Sequence, residues 1–227
     1  MHISIIFVHY GMNEERRELA RESMRSLIRS VNDSPTEIII VDNGNNAMDS
    51  RFFLDVCHDR QATHYIRNAE NMHFGFARNQ ALAMATGDYI AIVDNDLEYE
   101  RGWLAKCVDF LEAHKDKKYL ATPIAYPMHS RYRVGEVKYK NEIWRLDLRA
   151  GSNCWVMSRA AYQEIGNFQM HRIAGSIWTT RAVRLGYVSA VTPQNMVIDQ
   201  ALRKGYNLNE GIVVQKYLLD KQFIKLN

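Results

Sequence analysis

Short apolar runs alternate, through the first half of the chain, with stretches whose apolar residues recur every three or four positions. Ile3–Val8 reads as a buried strand. Glu14–Val31 then carries Ala20, Met24, Leu27, Ile28 and Val31 on one face of a helix, with its Glu and Arg residues on the solvated face. Asp33-Ser34-Pro35 breaks that helix, and Glu37–Val41 is a second buried strand that stops at Asp42-Asn43-Gly44. Ala62–Ile66 fits a short third strand, Phe74–Thr86 a helix closed by Gly87, and Tyr89–Val93 a fourth strand with the β-branched content of a parallel sheet buried on both faces. Strands interleaved with helices predict right-handed crossovers, hence a nucleotide-binding-type half-barrel or open sheet.

The second half is less regular. Gly102–His114 reads as a helix with Trp103, Leu104, Cys107, Val108 and Leu111 inward. Thr122–Arg149 is rich in Pro, Tyr, Arg and Lys without a clear period, which predicts a long excursion over the surface. Ser152–Met157 reads as a strand, Arg159–Ile165 as a short helix, Ile177–Leu185 as a helix ending at Gly186, and Tyr187–Val191 as a strand. With no repeat or linker, the expectation is one α/β domain over 1–227, with 1–115 and 116–227 as its two halves.

Composition narrows the class. With 227 residues, 47% hydrophobic and 24% charged, the chain is an ordinary globular protein with room for one good core. A formal charge of +3, dispersed along the chain, does not announce nucleic acid as a partner. Cys57, Cys107 and Cys154 form no Cys-x-x-Cys pair and read as reduced, buried thiols. No apolar run reaches the roughly 18 residues of a membrane span, and Met1–Val8 is too short for a signal peptide. These features predict a soluble cytoplasmic protein, with a peripheral membrane contact left open for the tail Gly211–Asn227.

Candidate chemistry sits at the end of the fourth strand. Asp94 and Asp96 fall at its carboxyl end, where open α/β sheets bind ligands, and residues two apart in extended chain face one point. Paired carboxylates there suit Mg²⁺ or Mn²⁺ carrying phosphates, since such cations prefer oxygen ligands. Asp94-Asn95-Asp96 is equally good turn chemistry, so the triplet alone leaves both readings open.

The wider pattern carries more. Val8-His9-Tyr10, Val41-Asp42-Asn43-Gly44, the block Asn71-Met72-His73-Phe74-Gly75-Phe76-Ala77-Arg78-Asn79, Ala85-Thr86-Gly87-Asp88-Tyr89-Ile90 and Asp94-Asn95-Asp96 resemble, in order and spacing, the inverting family 2 glycosyltransferases of the GT-A fold. Gly151–Phe168 is similar to the family's later strand, helix and Gly-x-Phe, and Arg181 with Gly186 to its Arg-x-x-x-x-Gly helix end. The resemblance implies a Rossmann-like, mostly parallel sheet and a nucleotide-sugar donor, a UDP-sugar by way of Tyr10 and Asp42. By position, Tyr10 packs on the base and Asp42 accepts its ring N–H. Arg78 and Asn79 line the nucleotide pocket, Asp94 touches ribose or metal-bound water, and Asp96 ligates the metal as the DXD acid. Bland readings remain beside these: Asp42 as the cap of a turn, Arg78 as a solvated helix residue.

Departures from the family pattern are as informative. His73 and Ala81 stand where the family usually has glycine. The acidic Glu-Asp pair upstream of the family arginine, whose carboxylate serves as general base, is replaced by Ala174-Gly175, and no acid lies between Glu164 and Asp199. His171 is the nearest group that titrates near neutral pH, against the reading of an exposed loop histidine. Where relatives carry a metal-binding histidine beyond Gly186 and Pro193, this chain has Asp199, an oxygen ligand that would join Asp94 and Asp96, or else cap Gln200–Lys204.

The expected activity is metal-assisted transfer of a sugar from a nucleotide diphosphate to an acceptor hydroxyl. Arg131, Arg133, Lys138, Lys140, Arg145 and Arg149, interleaved with Tyr126, Tyr132, Tyr139 and Trp144, would receive a glycan, a lipid-linked glycan or modified DNA, or else form a solvated loop. A non-catalytic nucleotide-sugar or glycan-binding protein is the alternative that the missing acidic pair keeps open. A nucleotidyltransferase would want a glycine-rich phosphate loop after the first strand, which His9–Asn13 does not supply.

Overall fold

The computed structural model describes residues 1–31, 36–58, 63–123, 132–148, 153–171 and 173–200. Its spine is a nine-stranded sheet. The first four members are parallel and lie in the order β3 (Thr63–Asn68), β2 (Thr36–Asn43), β1 (Ile3–His9), β4 (Tyr89–Val93). Each crossover runs through a helix: α1 (Glu14–Val31), α2 (Ala47–His58) and α3 (Phe74–Met84). All eight residues of β2 and all five of β4 are buried, which is why these segments read as unbroken apolar runs.

Beyond β4 the sheet continues as β9 (Cys154–Ser158), β6 (Tyr119–Thr122), β10 (Val188–Val191), β8 (Glu142–Asp147) and β7 (Arg133–Tyr139). Following the pairings outward from β4, only β9 and β8 run against the other seven, so the expected mostly parallel α/β sheet of the GT-A fold is what forms. A small ribbon, β5 (Leu97–Tyr99) with β11 (Val197–Asp199), stands apart from it. The remaining helices are α4 (Trp103–Ala113), α5 (Arg159–Ile165) and α6 (Ala174–Arg184). Apolar residues pack in two clusters. One joins Ile5, Phe7, Met24, Phe53, Trp103, Phe110 and Trp144; the other joins Ile6, Ile39, Leu82, Ile92, Trp155, Phe168 and Trp178. Alternate residues of β1 feed opposite clusters, as the pleat of a doubly covered sheet requires.

Three expectations are corrected. The helix expected over Phe74–Thr86 ends at Met84 with Ala85 extended, and Gly87 does not close it. Gly87 lies against β1, where an added Cβ would stand 2.5 Å from the Ser4 nitrogen and 2.8 Å from the Ile3 carbonyl carbon. The stretch read as a surface excursion contains the β7–β8 hairpin, turned by Lys140 and Asn141 at φ 48° and 63°. Finally, α6 starts at Ala174, three residues before the apolar period becomes visible, so Ala174-Gly175 form its buried first turn. Residues 124–131, 149–152 and the tail 201–227, which include Tyr126, Arg131 and Arg149, lie outside the described residues. None of the described helices is long and apolar enough to cross a membrane.

Candidate active site

The carboxyl ends of β1, β2 and β4 meet at one rim. His9 and Asp42 are register partners, so Tyr10 leaves β1 beside the loop that follows β2. The Asn45 side chain ties these loops together: its carbonyl accepts from Gly11 N at 2.6 Å, and its Nδ2 donates to His9 O at 2.9 Å. Tyr10 is 39% exposed on this rim, an aromatic face available to a flat ligand.

Asp42 is fully buried. One carboxylate oxygen accepts from Asn45 N at 3.0 Å and Asn45 Nδ2 at 2.6 Å; the other accepts from the Ser50 hydroxyl and from Tyr65 OH at 2.6 Å. Burial alone would raise its pKa, but these donors together hold it below the usual carboxylate range. All four lone-pair sites are thus engaged by the chain itself. A base N–H reaching Asp42 must displace one of these donors.

The acidic turn is built differently. Asp94 N donates to Asn153 O at 2.8 Å, and Tyr99 OH donates to Asp94 O at 3.2 Å. The Asp94 carboxylate pairs with Arg78, a buried side chain of α3 whose guanidinium lies 5.1 Å from the Phe74 ring centroid and 5.3 Å from that of Phe168. Asp96 accepts from Arg16 Nη1 at 2.9 Å. The middle residue, Asn95, donates from Nδ2 to His9 Nδ1 at 3.0 Å if that nitrogen is the acceptor.

Asp199 reaches the same place through the ribbon. The β11–β5 register pairs Asp199 with Leu97, Gln200 N donates to Asp96 O at 2.9 Å, and Asn153 Nδ2 donates to Asp199 Oδ2 at 2.9 Å. Burial pushes the Asp94 carboxyl up, opposed by Arg78 and reinforced by the charges of Asp96 and Asp199. Burial likewise raises Asp96, with the Asp199 charge adding and Arg16 opposing. Three carboxylates close enough to repel one another call for positive charge. Asp96 Oδ1 is buried without a hydrogen-bond partner, and the carboxylates gathered here offer hard oxygens, so these residues would fit Mg²⁺ or Mn²⁺. As the side chains stand, no three His, Cys, Asp or Glu groups among the described residues are closed up into a cage.

One expected pocket residue, Asn79, and one residue of the helix-end motif, Arg181, have structural partners. Asn79 Nδ2 donates to Phe168 O at 2.8 Å and its carbonyl accepts from Phe168 N at 2.9 Å, clamping the Gly-x-Phe segment onto α3. Arg181 donates to the Gly166 and Asn167 carbonyls, closing the turn after α5. His171 is exposed; its Nδ1 accepts from Ile173 N at 3.3 Å at the entry to α6. The segment that precedes it packs on α3: Gln169 O lies where a Cβ on Gly75 would come within 2.5 Å, and Gly75 is about one helical turn before Arg78. His73, standing where the family usually has glycine, holds φ 68° and ψ 138° while capping Gly75 N at 3.2 Å.

Sequence reasoning missed Arg16, assigned to a solvated helix face, and Asn153, which joins the Asp94 backbone to the Asp199 side chain. Nothing in a helical periodicity separates an arginine that meets a carboxylate across the rim from one that meets water.

The sequence profile of glycosyl transferase family 2 matches residues 4–181. Among curated proteins, the chain is 30% identical over 119 residues to the glucosyl-dolichyl phosphate glucuronosyltransferase of Haloferax volcanii, covering 51% of this chain and 36% of that protein. It is 24% identical over 195 residues to the UDP-forming cellulose synthase 1 catalytic subunit of Komagataeibacter xylinus, covering 73% of this chain and 25% of that protein. The chain therefore spans about a third or less of these relatives. Among solved structures, a mannosyltransferase from Pyrobaculum calidifontis in complex with GDP-Man and Mn²⁺ matches with a TM-score of 0.69 and 18% identity, covering 90% of this chain and 58% of that one. GalNAc-T7 with UDP, GalNAc and Mn²⁺ matches with a TM-score of 0.64 and 16% identity, covering 85% and 42%. A sequence match across most of the chain, on a fold of this kind, leads to one statement: the chain belongs to glycosyl transferase family 2.

Proposed function

We propose that the protein transfers a sugar from a nucleotide-diphosphate sugar to an acceptor hydroxyl, with inversion, using a divalent cation held by Asp94, Asp96 and Asp199. The observation that carries this reading is the buried, unpartnered Asp96 oxygen amid three mutually repelling carboxylates. Solved neighbours holding Mn²⁺ beside a nucleotide or nucleotide sugar support it. Such a cation supplies positive charge against the departing diphosphate.

The chain's own groups carry the remaining tasks. Arg16 and Arg78 hold the acids in place and offset their charge until donor binds. Tyr10 stacks on the nucleotide base, and Asp42 accepts its N–H once Asn45 or Ser50 releases a lone pair. Uracil and guanine both present a ring N–H to such an acceptor, so the preference for a uridine nucleotide rests on the family resemblance of Tyr10 and Asp42, and GDP-linked donors belong in the same test because the solved neighbours include both nucleotides. His171 takes the acceptor proton as the hydroxyl attacks the face of the sugar opposite the nucleotide.

One observation favours a second reading, a donor-binding protein without transferase activity: the first turn of α6 carries Ala174-Gly175 and no acid. Incubation with UDP- and GDP-sugars and Mn²⁺ or Mg²⁺, with acceptors added, decides between the two. Transfer predicts metal-dependent release of nucleoside diphosphate, abolished by Asp96→Ala. His171→Ala should then lower kcat about 10²- to 10⁴-fold with donor KM unchanged. Thermal stabilisation by donor without release supports the binding reading, and an unchanged rate in His171→Ala removes that residue as the base.

A further inference from the structure

Helix α1 is stitched along one side to the segment that follows β4. Ser23 Oγ accepts from Leu97 N at 3.2 Å, Ser26 Oγ from Tyr99 N at 3.3 Å, and Ser30 Oγ from the Trp103 indole N–H at 3.0 Å. Positions 16, 23, 26 and 30 are spaced so that they fall on one stripe of the helix. Arg16 heads that stripe in the first turn, where its backbone N–H donates to the Asn13 side-chain carbonyl at 2.9 Å and its Nη1 meets Asp96. The serines hold the helix against the acidic turn, so the register of the two does not depend on the Arg16 side chain.

The two arginine–aspartate pairs of the site differ in kind. The Arg78 side chain is 6% exposed and packed against the Phe74 and Phe168 rings, so its hold on Asp94 is fixed by its surroundings. The Arg16 side chain is 41% exposed, although Asp96 is only 16% exposed. An ion pair open to water on its cationic side contributes little and is readily exchanged. Along the helix, Glu14 is paired with Arg17 at 3.0 Å and Arg21 at 3.2 Å, and Arg21 also with Glu18 at 2.7 Å. An anion arriving at this end of α1 therefore meets Glu14 with its charge already offset, and meets Arg16 turned towards the acids.

The location suits a diphosphate. In the strand order β2-β1-β4, Tyr10 leaves β1 beside the loop after β2, and Asp96 lies beyond β4. A nucleotide with its base on Tyr10 and its leaving oxygen at the acids crosses the first turn of α1, where Arg16 stands. A guanidinium matches two phosphate oxygens in one plane.

We propose that Arg16 is a diphosphate-binding residue that exchanges partners: it holds Asp96 while no donor is bound and turns to the phosphate oxygens of the nucleotide when the donor enters, which leaves Asp96 for a cation. The inference rests on the donor and cation of the transferase reading above.

The test compares the wild type, Arg16→Gln and Arg16→Lys by titration calorimetry with Mn²⁺ alone, with UDP and GDP in Mn²⁺ and in EDTA, and with uridine and guanosine. Two effects of opposite sign are expected. Arg16→Gln should bind Mn²⁺ alone about fivefold tighter, because no cation of the chain competes at Asp96, and should bind the preferred diphosphate about tenfold more weakly with the parent nucleoside unchanged. Arg16→Lys, a point charge without the planar fork, should return Mn²⁺ affinity towards the wild type and recover part of the diphosphate affinity. An unshifted Trp103 indole N–H resonance in both variants reports that the serine seam is intact. A pair that serves structure alone would, on removal, weaken Mn²⁺ and nucleoside binding together. That result, an unchanged diphosphate affinity, or a weakened one without the gain in Mn²⁺ affinity overturns the proposal. The wild type separates the two readings: diphosphate bound equally well in EDTA, or not at all, removes the cation site and the exchange with it, whereas Mn²⁺-dependent binding that Arg16→Gln leaves unaltered removes the exchange alone.

Discussion

At the scale of single residues, the rim is a set of ionisable groups held away from their ordinary behaviour. His9 is fully buried against Phe53, with ring centroids 4.7 Å apart, and its Nε2 finds no partner. Burial lowers its pKa to about 4; the Asp42 charge pulls the other way, and Arg21 and Arg17 add to the lowering. A histidine whose folded pKa lies below its unfolded value near 6.5 contributes stability that is complete above that value and is lost as pH falls towards the folded one. Over that window the loss amounts to about 3 kcal/mol at most. Comparing unfolding free energies of the wild type and His9→Gln between pH 7 and pH 4 isolates this contribution, because Gln retains an acceptor for Asn95. The wild-type curve should fall more steeply on acidification; parallel curves would mean that the imidazole takes up its proton alike in the folded and unfolded states.

At the scale of elements, what could be read from sequence divides by burial. Doubly buried strands such as β2 and β4, and helices with one apolar face such as α1, announce themselves because burial dictates residue type at nearly every position. The β7–β8 hairpin does not. It lies at the sheet edge, and a shift in register between Arg133 and Gly135 breaks the alternation that would mark it. The ribbon that brings Asp199 to Asp96 consists of three-residue strands, too short for any period, so Asp199 was found by family spacing and its route to the site was not. His73 shows the opposite case, a sequence departure whose physical cost is visible only in the backbone. Its φ of 68° with ψ of 138° belongs to a region that glycine enters freely and other residues at a cost of about 1–3 kcal/mol. The Nδ1 cap on Gly75 N returns part of that cost, about 1 kcal/mol. His73→Gly should therefore be neutral or stabilising by up to about 2 kcal/mol in chemical denaturation. Destabilisation by more than about 1 kcal/mol would show that the cap and the stacking on Phe74 at 4.9 Å outweigh the strain.

At the scale of the molecule, β9 makes one sheet of two sequence halves. It runs antiparallel between β4 of the first half and β6 of the second. Its side chains alternate between the two apolar clusters, Cys154 and Val156 to one, Trp155 and Met157 to the other. Asn153, immediately before it, bonds the backbone of Asp94 and the side chain of Asp199, so the strand that joins the halves also sets the acids against each other. Disturbing β9 should therefore loosen both halves together. Trp155→Ala removes a ring packed 5.1 Å from Trp178 and 6.3 Å from Phe168, at a cost of about 3–5 kcal/mol, a large share of the stability of a domain this size. Calorimetry of the variant should show one transition at lower temperature, with near-ultraviolet and far-ultraviolet dichroism lost together. Two separated transitions, with the parallel β3-β2-β1-β4 half surviving the first, would mean that this half folds independently of β9. The approach of Asp199 to Asp94 through Asn153 would then be an assembly of two folded bodies, and any metal affinity of the kind proposed above would fall in step with the first transition instead of with global unfolding.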